Sequence, residues 1–184
     1  MRVIAGEFRS RRLKSIPGLA TRPTPDRLRE TLFDILGSRV QGTVFLDAYA
    51  GTGAVGIEAL SRGAVRAIFI ERSKGAEKVL HENLASLGIE DRAVVALGAA
   101  ASLLPRYEAA IVFLDPPYDR ESEYAKGLQL LGESPPDLVI AQHSVRLELA
   151  HLYGGLRRTR VVKQGDNALS FYAAGVESIA SDVF

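Results

Sequence analysis

Cysteine is absent from this sequence, and histidine is scarce. With no thiol in 184 residues, disulfides, thiolate catalysis and cysteine-ligated zinc or iron–sulfur sites are excluded. The three histidines, His81, His143 and His151, are dispersed, so no metal is expected. No apolar run approaches the roughly 20 residues that a membrane helix needs. The opening Met1-Arg-Val-Ile-Ala-Gly-Glu-Phe-Arg has no apolar stretch behind a basic one and does not read as a secretory signal. These absences point to a cytoplasmic protein without membrane association. What the chain does have is a 47% share of hydrophobic residues over 184 positions. That suits one α/β domain with a sizeable core and leaves little room for a second.

The net charge is only +1, but it divides unevenly. Residues 1–30 carry Arg2, Arg9, Arg11, Arg12, Lys14, Arg22, Arg27 and Arg29 against Glu7, Asp26 and Glu30, a balance of +5. The rest of the chain carries −4. A basic arm on a mildly acidic body is the pattern of an electrostatic foot for a polyanion. A solvated hairpin with no partner fits the charge equally well.

Residues 2–8 and 12–16 alternate enough to predict a small β-hairpin. A Pro- and Thr-rich connector, Gly18 to Pro25, follows. Thr24 can cap a helix with Pro25 at its first position, and Leu28, Leu32, Ile35 and Leu36 keep helical spacing up to Gly37. From Val44 the chain alternates strand and helix. Strands are expected at Val44–Asp47, Arg66–Glu71, Ala93–Leu97, Ala109–Leu114 and near Leu138–Ala141. Helices are expected at Gly53–Arg62, Ala76–Leu87, Ala100–Leu104 and near Glu121–Leu131. Arg157–Lys163 and Ala168–Ala174 flank Gly165-Asp-Asn as a closing hairpin. The alternation predicts an α/β, Rossmann-like, mostly parallel sheet with helices on both faces and an antiparallel hairpin at one edge. Residues 175–184 have no readable pattern.

Two segments carry chemistry. Asp47-Ala-Tyr-Ala-Gly51-Thr-Gly53-Ala-Val-Gly56 follows the first parallel strand and opens a helix, fitting G-x-G-x-x-G, and Glu71 ends the next strand. Small residues there let a ligand approach the backbone, and a carboxylate on the next strand can take a ribose hydroxyl pair. A dinucleotide and another adenosine ligand are both compatible with this pattern. Asp47 beside the loop would repel a pyrophosphate but could hold an ammonium, which suits S-adenosylmethionine. The second segment is Asp115-Pro-Pro-Tyr118 at the end of the fourth strand. The Asp115 carboxylate and a backbone carbonyl at Pro116 or Asp115 could accept both N–H groups of an exocyclic amine. That would aim the nitrogen lone pair at a methyl carbon. Pro117 stiffens the corner, and Tyr118 offers a face on which a base stacks.

On these residues the chain resembles a class I S-adenosylmethionine-dependent methyltransferase. More closely it resembles the RsmD family, the bacterial 16S ribosomal RNA guanine-N2 methyltransferases. The resemblance runs from Arg2 to about Tyr172. It rests on Arg2-Val-Ile-Ala-Gly-Glu-Phe-Arg-Ser-Arg-Arg-Leu13, Arg22-Pro-Thr-Pro-Asp-Arg-Leu-Arg-Glu-Thr-Leu-Phe33, the loop segment to Leu60, Glu82-Asn-Leu84, Asp115-Pro-Pro-Tyr118 and Gly165-Asp-Asn-Ala-Leu-Ser-Phe-Tyr172. It implies a seven-stranded sheet and methyl transfer to N2 of one small-subunit guanine, position 966 in the family. Residues 1–20 would be a basic extension and 21–184 the methyltransferase domain. The resemblance assigns Asp47, Ala48, Gly51 and Gly53 to the cofactor's methionine end, Glu71 to its ribose, and Asp115, Pro116, Pro117 and Tyr118 to the amino-group pocket. Arg22, Thr24 and Arg27 match a motif bordering the cofactor and RNA sites. Arg2, Arg9, Arg11, Arg12 and Lys14 would meet RNA. The expected substrate is 16S rRNA within an assembled or partly assembled small subunit, and the expected state is a monomer.

Two places depart from the family pattern. Leu97-Gly98-Ala99-Ala100 offers no side-chain acceptor for adenine, so recognition there would fall to backbone groups at Gly98 and Ala99 or to the stem of Arg72. The fifth strand ends Ala141-Gln142-His143-Ser144, where relatives tend to have an acidic second residue. His143 reads as structural or RNA-facing rather than as a base. The competing functions are an adenine-N6 methyltransferase on DNA or RNA, and a NAD-dependent oxidoreductase using the three glycines.

Overall fold

In a computed structural model of the chain the described residues are 1–16, 26–117 and 120–175. The short apolar runs become the middle of a sheet. Val44–Asp47 (β1) and Ile111–Leu114 (β4) pair in parallel with Asp47 opposite Phe113. Arg66–Glu71 (β2) and Ala93–Leu97 (β3) extend the sheet on one side, and Leu138–Ser144 (β5) on the other. The chain then reverses. Leu152–Tyr153 (β6), Leu156–Gln164 (β7) and Asn167–Ala174 (β8) add antiparallel strands, giving the order β3-β2-β1-β4-β5-β8-β7-β6. Gly165 and Asp166 form the β7–β8 turn, with Gly165 at φ 59°. Seven strands are those expected; the eighth, β6, is a two-residue strip on the outer edge.

Helices cover both faces. Asp26–Leu36 (α1), Ala54–Ser61 (α2) and Lys74–Leu87 (α3) pack on one face around Leu32, Phe33, Phe45, Ile57, Phe69 and Leu80. Ala100–Leu103 (α4) and Glu121–Glu133 (α5) pack on the other around Leu46, Ile70, Val112, Tyr124 and Leu128. The expected caps of α1, Thr24 and Pro25, lie outside the described residues. At α3, Ser73 accepts the Ala76 amide and Gly88 closes the helix in the left-handed conformation.

The N-terminal arm is a short, irregular form of the predicted hairpin. It turns back on itself around an Arg2–Arg12 bridge, and the amides of Val3, Ser10 and Leu13 donate to the carbonyls of Arg11, Val3 and Met1 at 2.9 to 3.0 Å. Beyond these bonds, α2 takes backbone donors of the turn. The buried Glu58 carboxylate accepts the amides of Ile4 and Ala5 at 2.8 and 3.0 Å, and Ser61 accepts that of Phe8 at 2.9 Å. Val3 and Leu13 bury with the α1 core. The arm is therefore docked on α2 by the Glu58 and Ser61 side chains and by the Ser61 carbonyl, which accepts the Glu7 amide at 2.8 Å.

Candidate active site

In an open α/β sheet, ligands meet the crevice beyond the carboxyl ends of the strands, where neighbouring connections diverge. Here that point is β1 beside β4, with Asp47 on one strand end and Asp115 just past the other. Asp47 is 1% exposed, and its Oδ2 accepts the Gly56 amide at 3.1 Å. Burial pushes its carboxyl up to about 7, Glu71 adds to the rise, and the Gly56 and Tyr49 amides oppose it. The glycine loop stays close to the strand ends: Ala48 donates to the Phe113 carbonyl at 3.0 Å and Ala50 to that of Ile70 at 2.9 Å.

Glu71 is a second brace for this loop. Its Oε2 accepts the Gly51 amide at 2.7 Å, and its Oε1 accepts the amides of Arg72 and Ser73 at 2.9 and 2.7 Å. The carboxylate expected to meet a ribose is thus held by the loop it would face. The glycines separate into two roles. Gly56 is a packing glycine, because a Cβ there would run into the Phe69 ring. Gly51 has φ 55° and nothing within 4 Å of where a Cβ would sit, so the loop is open over that residue.

Asp115 is half-buried, and its Oδ2 accepts a hydrogen bond from Nε2 of Gln142 at 3.0 Å. Pro116 is buried and Pro117 exposed. The Tyr124 hydroxyl donates to the Gln142 carbonyl at 2.7 Å and lies 3.4 Å from that of Pro116. Gln142 was missed as a site residue because β5 was expected to stop at Ala141; the strand runs on through Ser144. The same extension settles the setting of His143. It is 4% exposed, with Nδ1 2.8 Å from the Ser144 carbonyl and Nε2 2.8 Å from the Ser170 hydroxyl. The carbonyl can only accept, so Nδ1 carries the proton and Nε2 accepts. Burial lowers its pKa, and the ring is a neutral structural link between β5 and β8.

Two assignments near the adenine end can be located. The Gly98 amide donates to the Glu71 carbonyl at 2.8 Å, and Ala99 is exposed at the start of α4. The Arg72 guanidinium reaches towards α5, 3.8 Å from Glu123, which Arg120 also meets at 3.1 Å. Burial and the neighbouring Glu123 raise the pKa of the Tyr49 hydroxyl.

Comparison with known proteins fits this geometry. Residues 1–173 match the model of a family described as conserved hypothetical protein 95. The chain is 36% identical over 183 residues to the Bacillus subtilis protein YlbH, covering 94% of this chain and 98% of that one. It is 40% identical over 121 residues to ribosomal RNA small subunit methyltransferase D of Escherichia coli K12, spanning 65% of this chain and 61% of that one. The chain belongs to the RsmD family. The solved structure of Escherichia coli yhhF has a TM-score of 0.82 at 35% identity, over 95% of this chain and 97% of that one. An RNA methyltransferase from Salinibacter ruber, solved in complex with S-adenosyl-L-homocysteine, shares the fold with a TM-score of 0.65 at 20% identity, over 88% and 99% of the two chains.

In this RsmD-family chain the basic arm lies against α1, α2 and α3. Arg2, Arg9, Arg11, Arg12 and Lys14 are exposed, as is Arg27 on α1. Arg11 donates to the Ser86 carbonyl at 2.8 Å, and Lys14 pairs with Glu82 at 2.8 Å. A cleft lined by Arg2, Ile4, Arg9, Ser10, Asp26 and Glu30 opens between arm and α1. Arg29, by contrast, is fully buried: it bonds the Arg2 carbonyl at 2.6 Å and Asp26 at 3.0 Å, and lies 3.9 Å from Glu58. Tyr118, Arg22 and Thr24 lie outside the described residues. Among the described residues, no helix is long and apolar enough to cross a membrane.

Proposed function

We propose that this chain transfers a methyl group from S-adenosylmethionine to the exocyclic N2 of one guanine in small-subunit 16S rRNA. The observation that carries this reading is the convergence of Asp47 and Asp115 at the β1–β4 crevice in an RsmD-family chain. The residues present fit the cofactor. A buried carboxyl pushed up to about 7 gains from a cationic neighbour, and the loop at Gly51 has open space above it. Asp47 and the loop from Ala48 to Gly53 would hold the methionine end, and Glu71 the ribose. Arg72, Gly98 and Ala99 would border the adenine, and Thr24 the cofactor's edge. When bound, the cofactor supplies an electrophilic methyl group on a sulfonium.

The chain's own residues prepare the amine. A guanine N2 is a poor nucleophile because its lone pair is delocalised into the ring. The Asp115 carboxylate and the Pro116 carbonyl would accept its two N–H groups, fix its direction and stabilise the positive charge that develops on nitrogen. The nitrogen becomes acidic only once its bond to carbon has formed, so Asp115 need not be a strong base beforehand. Pro117 keeps the corner rigid, and Tyr118 would stack on the base. Arg2, Arg9, Arg11, Arg12, Lys14, Arg22 and Arg27 would meet phosphates, with residues 1–20 as the RNA-reaching extension of the methyltransferase domain, 21–184. A small domain with a short arm has few contacts for selecting one nucleotide, which favours an assembled or partly assembled subunit as substrate. We expect the enzyme to act as a monomer in the cytoplasm.

The test supplies labelled S-adenosylmethionine and small subunits lacking the modification, then digests the rRNA to nucleosides. Label is expected in N2-methylguanosine. Label in N6-methyladenosine, or in no rRNA nucleoside, overturns the assignment.

A further inference from the structure

Gln142 is 2% exposed, and its three polar groups are treated differently by the fold. Its Nε2 donates to Asp115 Oδ2 at 3.0 Å, and its backbone carbonyl accepts the Tyr124 hydroxyl at 2.7 Å. Its Oε1 is buried without a hydrogen-bond partner. Rotating the amide would set Oε1 against the Asp115 oxygen, acceptor facing acceptor, and strand Nε2 instead. The donor orientation towards Asp115 therefore follows from the chemistry of the pair. A buried amide oxygen with no partner is a stability cost that leucine or methionine would avoid. The fold carries that cost at a position on β5 whose side chain bonds the Asp115 carboxylate. Local rules broken in this way mark functional positions.

We infer that Gln142 is the positioning residue of the amino-group pocket, holding the Asp115 carboxylate in place as a preset hydrogen-bond acceptor. This rests on the role proposed for Asp115 above. A neutral amide suits the task. It donates at every pH, favours the ionised carboxylate and adds no charge of its own. A carboxylic acid in its place would donate only while protonated. Two carboxyl groups at this distance would share one proton and titrate as a pair. Among the described residues, the other ionisable groups of the rim are Asp47 on β1, Tyr49 after it, Glu71 on β2, Arg72 after it, and Arg120, Glu123 and Tyr124 at the start of α5. His143 is next to Gln142 on β5. All are common to wild type and variants, so a difference between pH profiles reports position 142.

The experiment compares wild type, Gln142→Leu and Gln142→Glu for single-turnover methyl transfer, S-adenosylhomocysteine affinity and melting temperature. Gln142→Leu is expected to melt at or above wild type and to bind S-adenosylhomocysteine equally well. Its transfer rate should fall by about 100-fold, the scale of a misplaced reacting group. With S-adenosylmethionine saturating at every pH, Gln142→Glu should keep transfer at the acidic end of roughly pH 5.5 to 9 and lose it as the shared proton leaves, while wild type stays level. A Gln142→Leu rate equal to wild type refutes the inference, as does a joint loss of rate, affinity and melting temperature, which would mark a scaffold residue. A Gln142→Glu profile superimposable on that of wild type also refutes it. Those outcomes leave the proposed function standing, provided wild type transfers methyl; no transfer by wild type overturns the function and this inference with it.

Discussion

With Asp47 holding the cofactor as proposed, its burial would make cofactor binding a proton-coupled event. The carboxyl is 1% exposed, faces repulsion from Glu71, and is pushed up to about 7. A ligand ammonium beside Asp47 would favour its ionised form, lowering the pKa of the bound form and expelling a proton. Below pH 7, affinity should then track the ionised fraction of Asp47. That fraction is about one half at pH 7 and about 3% at pH 5.5, so S-adenosylhomocysteine should bind roughly sixteenfold more weakly at the lower pH. Calorimetric titration in buffers of different ionisation enthalpy measures both parts: the affinity slope, and the release of about half a proton per ligand at pH 7. Asp47→Asn should bind more weakly and without the slope. The ligand-free protein should show the opposite dependence. The folded-state pKa lies above the unfolded value of 3.8, so this group's contribution to stability is present below about pH 4 and lost as pH rises through 7, on the order of 4 kcal/mol. An affinity that is flat between pH 5.5 and 7, or an Asp47→Asn protein with the wild-type slope, would refute the coupling.

Replacing Arg9, Arg11 and Arg12 together with alanine should weaken rRNA binding and reduce the slope of log affinity against log salt by about 2 to 3, since each phosphate contact contributes roughly 0.7 to 0.9; an unchanged slope means that the arm does not touch phosphate. Glu58→Ala should destabilise the protein by about 3 to 5 kcal/mol in urea unfolding, because it strips the acceptor from the Ile4 and Ala5 amides and from Arg62, and removes the counter-charge 3.9 Å from the buried Arg29. A loss below about 1 kcal/mol would show that the arm is held by other contacts. Asp115→Ala should abolish methyl transfer while keeping the thermal shift given by S-adenosylhomocysteine. Equal loss of both would move Asp115 into the cofactor site.

The parts of this molecule that were readable in sequence are those whose cause is local. An apolar run ending in a carboxylate identifies a buried strand and its polar end at once, and Asp47, Glu71 and Asp115 each close such a run. The arm's turn is legible in its alternation, but its docking is not, because alternation shows which side chains bury and says nothing about which groups of the body take the remaining backbone donors. Those groups are Glu58 and Ser61, more than 50 residues away in the chain. Gln142 was hidden for a related reason. It follows a fully apolar run, Leu138–Ala141, on a strand buried on both faces, where a polar residue looks like the strand's end rather than a member of the site.

Long-range bonds of this kind also bear on how a base could be directed to one rim. Asn83 on α3 is fully buried. Its Oδ1 accepts the Lys14 amide at 2.7 Å, and its Nδ2 donates to the carbonyls of Thr52 at 2.9 Å and Lys14 at 3.2 Å. One side chain therefore ties the last part of the basic arm to the glycine loop. Arg29 and Glu58 fix the arm's beginning to α1 and α2 in the same way. A positively charged segment attached by a free linker could bind RNA anywhere within reach and would say little about which nucleotide enters the crevice. Fixed at both ends to the helix face beside the loop, an arm that binds phosphate as proposed would set the distance between that phosphate and the β1–β4 rim. The basic arm would then select by geometry: it would hold the backbone at a set span from Asp115, and the shape of the substrate would decide which base covers that span.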